Sequence, residues 1–351
     1  MLPRPHLQNY VQNAEEPALA RRRGLVVAGK LLVTALTLGL LWHSIVADAA
    51  TAAAWRGLVA RTLSGQGRGP VLLALALVPL NWGLEAWKWW RLARHLGAVS
   101  FRRAFRAVLV GLTLGFVTPN RVGDYAGRIM ELKSRRLDAL GAVFLGRYCQ
   151  LVVTVAAGTL GLLYFLLRFA LPGYPAVQAG VVAATVLLNA AILLPLYYSR
   201  LVVGAVAAVP VLRRLRPFLA VMPTYPARLL TGVLLISGLR YAVFGVQFGL
   251  LLLAYGCQAP LGPGAAAVAG TFLLKSLVPS LNALADVGVR ELSAAHLFGL
   301  LNEPVLPVLS ASLSLWVLNI ALPSAAGLGF VLRLRVLRKR RKARPTPVPA
   351  A

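Results

Sequence analysis

Residues 229–256 read LLTGVLLISGLRYAVFGVQFGLLLLAYG. Arg240 is the one charge in this run; everything else is aliphatic, aromatic, small or neutral. A helix rises about 1.5 Å per residue, so about 20 such residues cross the hydrocarbon core of a bilayer. This stretch is longer than that, and it is apolar on every face, which suits lipid rather than water. It predicts a transmembrane helix. The same reading repeats on both sides of it. Spans are predicted over roughly 24–46, 70–87 and 140–167, then from the Pro172-Gly173 break to Tyr198, and finally over about 305–330. With 229–256 they make six.

The composition agrees. Of 351 residues, 58% are hydrophobic and 13% are charged, where an average soluble protein has roughly 25% charged residues. Mean hydropathy is +0.73. The formal charge is +27. In a soluble protein that surplus would suggest nucleic acid. Here the Lys and Arg residues flank the apolar runs, where cytoplasmic loops carry them. No helix-turn-helix, zinc-finger or RNP pattern accompanies them, so the expected partners are membrane lipids and no nucleic acid is expected. Cys149 and Cys257 are too few for a disulfide framework, and the four histidines lack metal-ligand spacing. No metal and no cofactor is expected. The chain reads as a polar leader (1–23), one transmembrane domain (24–332) and a basic, Pro-rich tail (333–351). It is placed in the cell (inner) membrane with both termini cytoplasmic, which six crossings satisfy.

Two apolar runs are too short to cross. Residues 107–117 stop at Thr118-Pro119, and residues 265–277 stop just before Pro279. A short run that ends in proline, the first with cations on both sides, predicts a re-entrant, broken helix, with a full crossing as the rival reading. Behind each lies a mixture of Gly and charge. The first reads Pro119-Asn120-Arg121-Val122-Gly123-Asp124, with Arg128 and Glu131 beyond; the second carries Pro279, Asp286, Gly288, Arg290 and Glu291. Matching broken segments in two halves of a chain point to an inverted repeat with its site near the midplane.

A charge at the centre of a transmembrane helix costs roughly 2.5–3.5 kcal/mol even on the lenient insertion scale, so it persists where it is paired, wet or used. The predicted substrate-binding set is therefore Arg121, Asp124, Arg128, Glu131, Lys275, Asp286, Arg290 and Glu291, on hairpins shaped by Pro119, Gly123, Pro279 and Gly288. Arginine suits phosphate because its planar fork binds two oxygens at once. The plainer reading is mutual pairing, Asp124 with Arg128 or Arg121 and Asp286 with Arg290. Glu85 is expected to pair with Lys88 at the membrane interface, among Trp82, Trp87, Trp89 and Trp90. Arg240 is expected to snorkel or pair, or else to line a cavity. If the hairpins meet, Asp124 or Glu131 faces Arg290, and Asp286 faces Arg121 or Arg128.

At these motifs the sequence resembles the lysylphosphatidylglycerol synthase transmembrane-region family, also called flippase-like or UPF0104 proteins. The residues that carry the likeness are Trp87-Lys88-Trp89-Trp90-Arg91, then Pro119 through Asp124 with Arg128, then Pro279 and Gly288-Val289-Arg290-Glu291. Asp124 stands where the family usually has Glu, and Ala285-Asp286 where it usually has two glycines. The resemblance spans roughly residues 20 to 335. It implies the lipid-translocating half of the bifunctional members, without their soluble aminoacyl-transferase domain. The expectation is an all-α polytopic membrane protein, about six full transmembrane helices plus two re-entrant ones. It would bind a lipid with a phosphate-containing headgroup and move it between leaflets. The alternatives are a membrane-embedded enzyme, though no recognisable catalytic motif is present, and a non-catalytic subunit beside an envelope-biosynthesis partner protein.

Overall fold

The computed structural model describes the backbone of residues 49–118, 122–130, 136–277 and 285–342. The predicted first span at 24–46 lies outside the described residues, as do Pro119, Arg121, Glu131 and Pro279. The chain divides into units 1–57 and 58–351. In the first, only the start of helix α1 (Ala49–Ser64) is described.

The described residues of the second unit form helices joined by short links, with no strand among them. Five of its helices are long and apolar enough to cross a membrane: Arg68–Leu96, Leu137–Ala170, Pro175–Tyr197, Ala227–Ala254 and Val305–Leu332. They match the five remaining predicted spans, so the chain is an all-α, multi-pass membrane protein. The first is α2 (Arg68–Leu96). The second is α5 (Arg136–Phe165), closed by one π turn at Leu166–Ala170. Then come α6 (Pro175–Tyr197), the short α7 (Ser199–Ala208) and α8 (Ala227–Ala254). The last span is α11 (Val305–Trp316), a π turn at Val317–Ala321, and α12 (Leu322–Lys342). A π turn inside an α-helix re-aims side chains and often marks a functional place; this one sets Asn319 against α2.

The two broken runs are helical hairpins. α3 (Phe101–Val117) is followed by α4 (Val122–Ile129), and α9 (Leu261–Leu277) by α10 (Ala285–Gly299). At 17 residues each, α3 and α9 are longer than the apolar runs predicted for them. The difference at α3 is its lead-in. Ser100 caps the helix by accepting from the Arg103 backbone N–H at 3.4 Å. The cations of the first turns are therefore helical while they reach for water. At its other end Thr118 joins the arms of the hairpin: its hydroxyl donates to the Leu114 carbonyl at 2.8 Å and accepts from the Gly123 N–H at 2.8 Å. α4 then returns along α3 at backbone contact. A methyl group at Gly123 would overlap the Leu114 carbonyl, and one at Gly127 would overlap the Gly111 backbone. Eight residues with two such glycines can lie in a groove that no larger residue fits.

Lipid tails are as apolar as leucine, so helices in a membrane are held by packing and by hydrogen bonds between them, each of the latter contributing on the order of 1 kcal/mol. Three such bonds tie the bundle across its length. Gln247 donates to the Ala74 carbonyl at 2.9 Å, Asn81 to Asn319 Oδ1 at 2.5 Å, and Thr113 to the Ser324 carbonyl at 2.7 Å. One apolar cluster joins α2, α3 and α5 around Trp89, Leu92, Val108 and Leu145. The other joins α8 to α11 around Phe248, Phe272, Phe298 and Leu315. α6 has little of either and turns most of its Leu and Val side chains outward, as a helix facing lipid should.

Candidate functional site

Between the two apolar clusters lies a chamber of charges. It begins on α2, where Trp82, Glu85, Lys88 and Trp89, at i, i+3, i+6 and i+7, share one helix face. All four are buried, at 8%, 5%, 2% and 2% exposure, while Trp87 on the opposite face is 41% exposed. The aromatic belt expected here is thus split. Trp87 faces outward, and Trp82 and Trp89 face the interior because that face packs on α3, α5 and α8.

Glu85 is the hub. Its carboxylate meets Lys88 Nζ at 2.7 Å, Arg128 Nη2 at 2.8 Å and Arg240 Nε at 3.4 Å. Asp124, on α4, holds Arg128 Nε at 3.0 Å with one oxygen and pairs with Arg147 of α5 through the other. Gln150, one turn along α5 from Arg147, accepts from Lys88 at 3.4 Å and from Arg240 at 3.3 Å, and donates to the Ser237 carbonyl at 3.3 Å. Three guanidinium groups also stand over aromatic rings: Arg128 over Trp89, Arg147 over Tyr125 and Arg240 over Trp82. The ring faces carry negative potential and add to the carboxylates in holding these cations.

The charged groups, Gln150 and Trp82 line a cavity of about 300 Å³, together with Leu112, Phe116, Thr154, Lys275, Ser276 and Ile320. A second space of about 250 Å³ adjoins it, sharing Trp82, Gln150, Arg240, Lys275 and Ser276 and adding Tyr241, Phe244, Phe272, Arg290 and Asn319. The two form one chamber with Arg128 at one end and Arg290 at the other. Among the described residues the wall of the first space carries five cations, Lys88, Arg128, Arg147, Arg240 and Lys275, against two carboxylates, Glu85 and Asp124. Its formal surplus is three positive charges. Even without Lys275 it is two.

Arg290 is fixed more tightly than the rest. It donates to Ser312 Oγ at 2.8 Å, to the Ser312 carbonyl at 3.0 Å and to Glu291 at 2.7 Å, and Ser312 in turn donates to the same Glu291 oxygen at 2.7 Å. Glu291 does not line the chamber; it anchors Arg290, which does.

No protein family model, no characterised protein and no solved structure matches this chain. The site is read from its own geometry.

Of the predicted residues, Asp124, Arg128, Lys275 and Arg290 line the chamber. The pairing expected across the two hairpins is not formed at Asp124. That carboxylate is taken up by Arg128 and Arg147, and Arg290 by Glu291 and Ser312, because each hairpin carries its own counter-charge. The two hairpins contribute to one chamber without an ion pair between these residues. Arg121 and Glu131 lie outside the described residues, and the Asp286 side chain does too. Gly288 is exposed with open space at its Cβ position, so it makes no close approach of the kind Gly123 makes.

Four important side chains were misplaced or missed by sequence reasoning. The expected Glu85–Lys88 pair forms at 2.7 Å, but it is buried inside the bundle and shared with Arg128 and Arg240. Arg147 and Gln150 lie inside the predicted 140–167 span, outside both broken segments. The cost of an intramembrane charge would have found Arg147, since it is the lone charge of that span.

Proposed function

We propose that this protein binds the phosphate-bearing headgroup of a membrane lipid in the chamber and carries it between leaflets. The observation that supports the reading best is the cationic surplus of a chamber enclosed by membrane-spanning helices. Among the described residues two carboxylates face five cations, a balance that favours an anionic ligand. Several guanidinium groups are present, and their planar forks match phosphate oxygens in pairs. The carboxylates position these groups: Asp124 spans Arg128 and Arg147, and Glu85 spans Lys88, Arg128 and Arg240. The likeness of the two motif loops to the flippase-like family adds to the same reading, as does the arrangement of one helical hairpin in each half. Binding would be localised in the inner membrane, with both termini on the cytoplasmic side.

The direct test is lipid translocation in vesicles containing the purified protein and phosphatidylglycerol labelled with a dithionite-quenchable fluorophore. Wild-type protein is expected to expose inner-leaflet label that protein-free vesicles protect. Arg147→Gln is expected to remove most of that exposure. Arg147 is the choice because its side chain is 37% exposed and its one ion pair in the site is to Asp124, so the fold is least disturbed. Protection equal to that of empty vesicles for the wild type, or full activity in Arg147→Gln, would count against the proposal.

A further inference from the structure

A second cavity of different character lies between α8 and α9. It has a volume of about 600 Å³, and no charged side chain among the described residues lines it. We propose that it seats one hydrocarbon chain of the lipid whose headgroup occupies the chamber, an inference that rests on the lipid reading of that chamber.

The first ground is continuity. Tyr241 lines both the polar chamber and the apolar groove. Its ring lies edge-on to Phe272, and its hydroxyl is buried with no hydrogen-bond partner among the described atoms. A polar compartment and an apolar one therefore meet at a side chain that has both an apolar body and an unused donor, as the junction between a headgroup and its chain requires.

The second ground is length. On α8 the groove runs from Tyr241 to Leu253, about 18 Å at the helical rise. One leaflet contributes about half of the roughly 30 Å hydrocarbon core, so the groove matches the depth of one leaflet. On α9 it takes in Leu261 to Ala269, the part of that helix that precedes the chamber residues Phe272, Lys275 and Ser276. Both helices thus pass from chamber level to groove level together.

The third ground is shape. Glycines on one face usually bring membrane helices into contact. Here they do the reverse. A Cβ at Gly249 meets nothing within 4 Å, and one at Gly245 meets only Val268 Cγ1 at 4.0 Å. These glycines keep a space open beside a chamber that carries most of the charge in the bundle's described interior. A lipid with its head in that chamber needs an apolar exit for its chain, and this groove adjoins the chamber directly.

The test compares dioleoyl- and dihexanoyl-phosphatidylglycerol binding to the detergent-purified chain by native mass spectrometry. Gly249→Phe fills the groove from a position with open space around it. Val246→Phe, on the exposed side of the same wall, is the second variant should the first fail to fold. The groove variant is expected to weaken dioleoyl binding about tenfold, equivalent to about 1.4 kcal/mol, and to leave the short-chain lipid unchanged. Arg147→Gln is expected to weaken both. If a folded groove variant keeps dioleoyl binding within about twofold of wild type while Arg147→Gln weakens both, the groove inference is overturned and the chamber reading stands. If Arg147→Gln changes neither lipid, the chamber reading itself fails.

Discussion

Replacing Glu85 by Gln tests whether the charge cluster holds the bundle together. The substitution keeps the shape and one acceptor oxygen but removes the negative charge shared by Lys88 at 2.7 Å, Arg128 at 2.8 Å and Arg240 at 3.4 Å. At an effective dielectric of about 20, each of these contacts is worth on the order of 5 kcal/mol of gross attraction, most of it offset by the cost of desolvating the charges. Removing one partner of a buried pair leaves the other uncompensated, and such losses run to about 3–5 kcal/mol. Here three cations lose a partner at once. All three keep other contacts, Lys88 with Gln150, Arg128 with Asp124, and Arg240 with Gln150 and the Trp82 ring, which holds the estimate to that range. For a protein of this size the melting temperature should fall by about 4–7 °C. The assay is thermal unfolding of the detergent-purified protein, followed by helical circular dichroism. The double variant Glu85→Gln with Lys88→Met should recover part of the loss, because it removes one buried cation along with its partner. A melting temperature unchanged in Glu85→Gln, or strictly additive losses in the double variant, would refute the hub assignment.

The α3–α4 hairpin makes a second prediction. Gly127→Val should destabilise the protein severely or abolish its folding, because the new side chain meets the Gly111 backbone, whereas Gly288→Ala should melt within about 2 °C of wild type since its Cβ position is open. Fluorescence size-exclusion chromatography of the two variants separates the outcomes, and equal behaviour would contradict the backbone contact. The third prediction concerns orientation: reporter fusions at residues 1 and 351 should both register on the cytoplasmic side, as the cations at both ends favour. Opposite faces would mean an odd number of crossings.

How much of this was legible in the sequence varies with the physics involved. Burial of apolar surface in lipid depends on composition over a window, so the five described spans could be read directly, and so could the breaks at Thr118 and beyond Leu277. The tight return of α4 was not legible. Gly123 and Gly127 stand in a loop-like string, and their meaning appears only when α3 presents Gly111 and Leu114 to them. Asp124 and Arg128 were recognisable because they lie one helical turn apart and pair locally.

The chamber was decided by tertiary structure alone. Glu85 and Lys88 sit beside a tryptophan cluster, and sequence could not say which face of α2 turns inward. That depends on α3, α5 and α8 packing against it, and the same packing brings Arg128, 43 residues away, and Arg240 onto one carboxylate. What the sequence by itself determined was the solvent: a chain this apolar, with charges this sparse, belongs in a membrane. It also determined that the few charges inside had to be paired or used, because each is costly there. Which charge meets which is a question of distance. Electrostatic energy falls with separation in space, not along the chain, and only the folded bundle sets that separation.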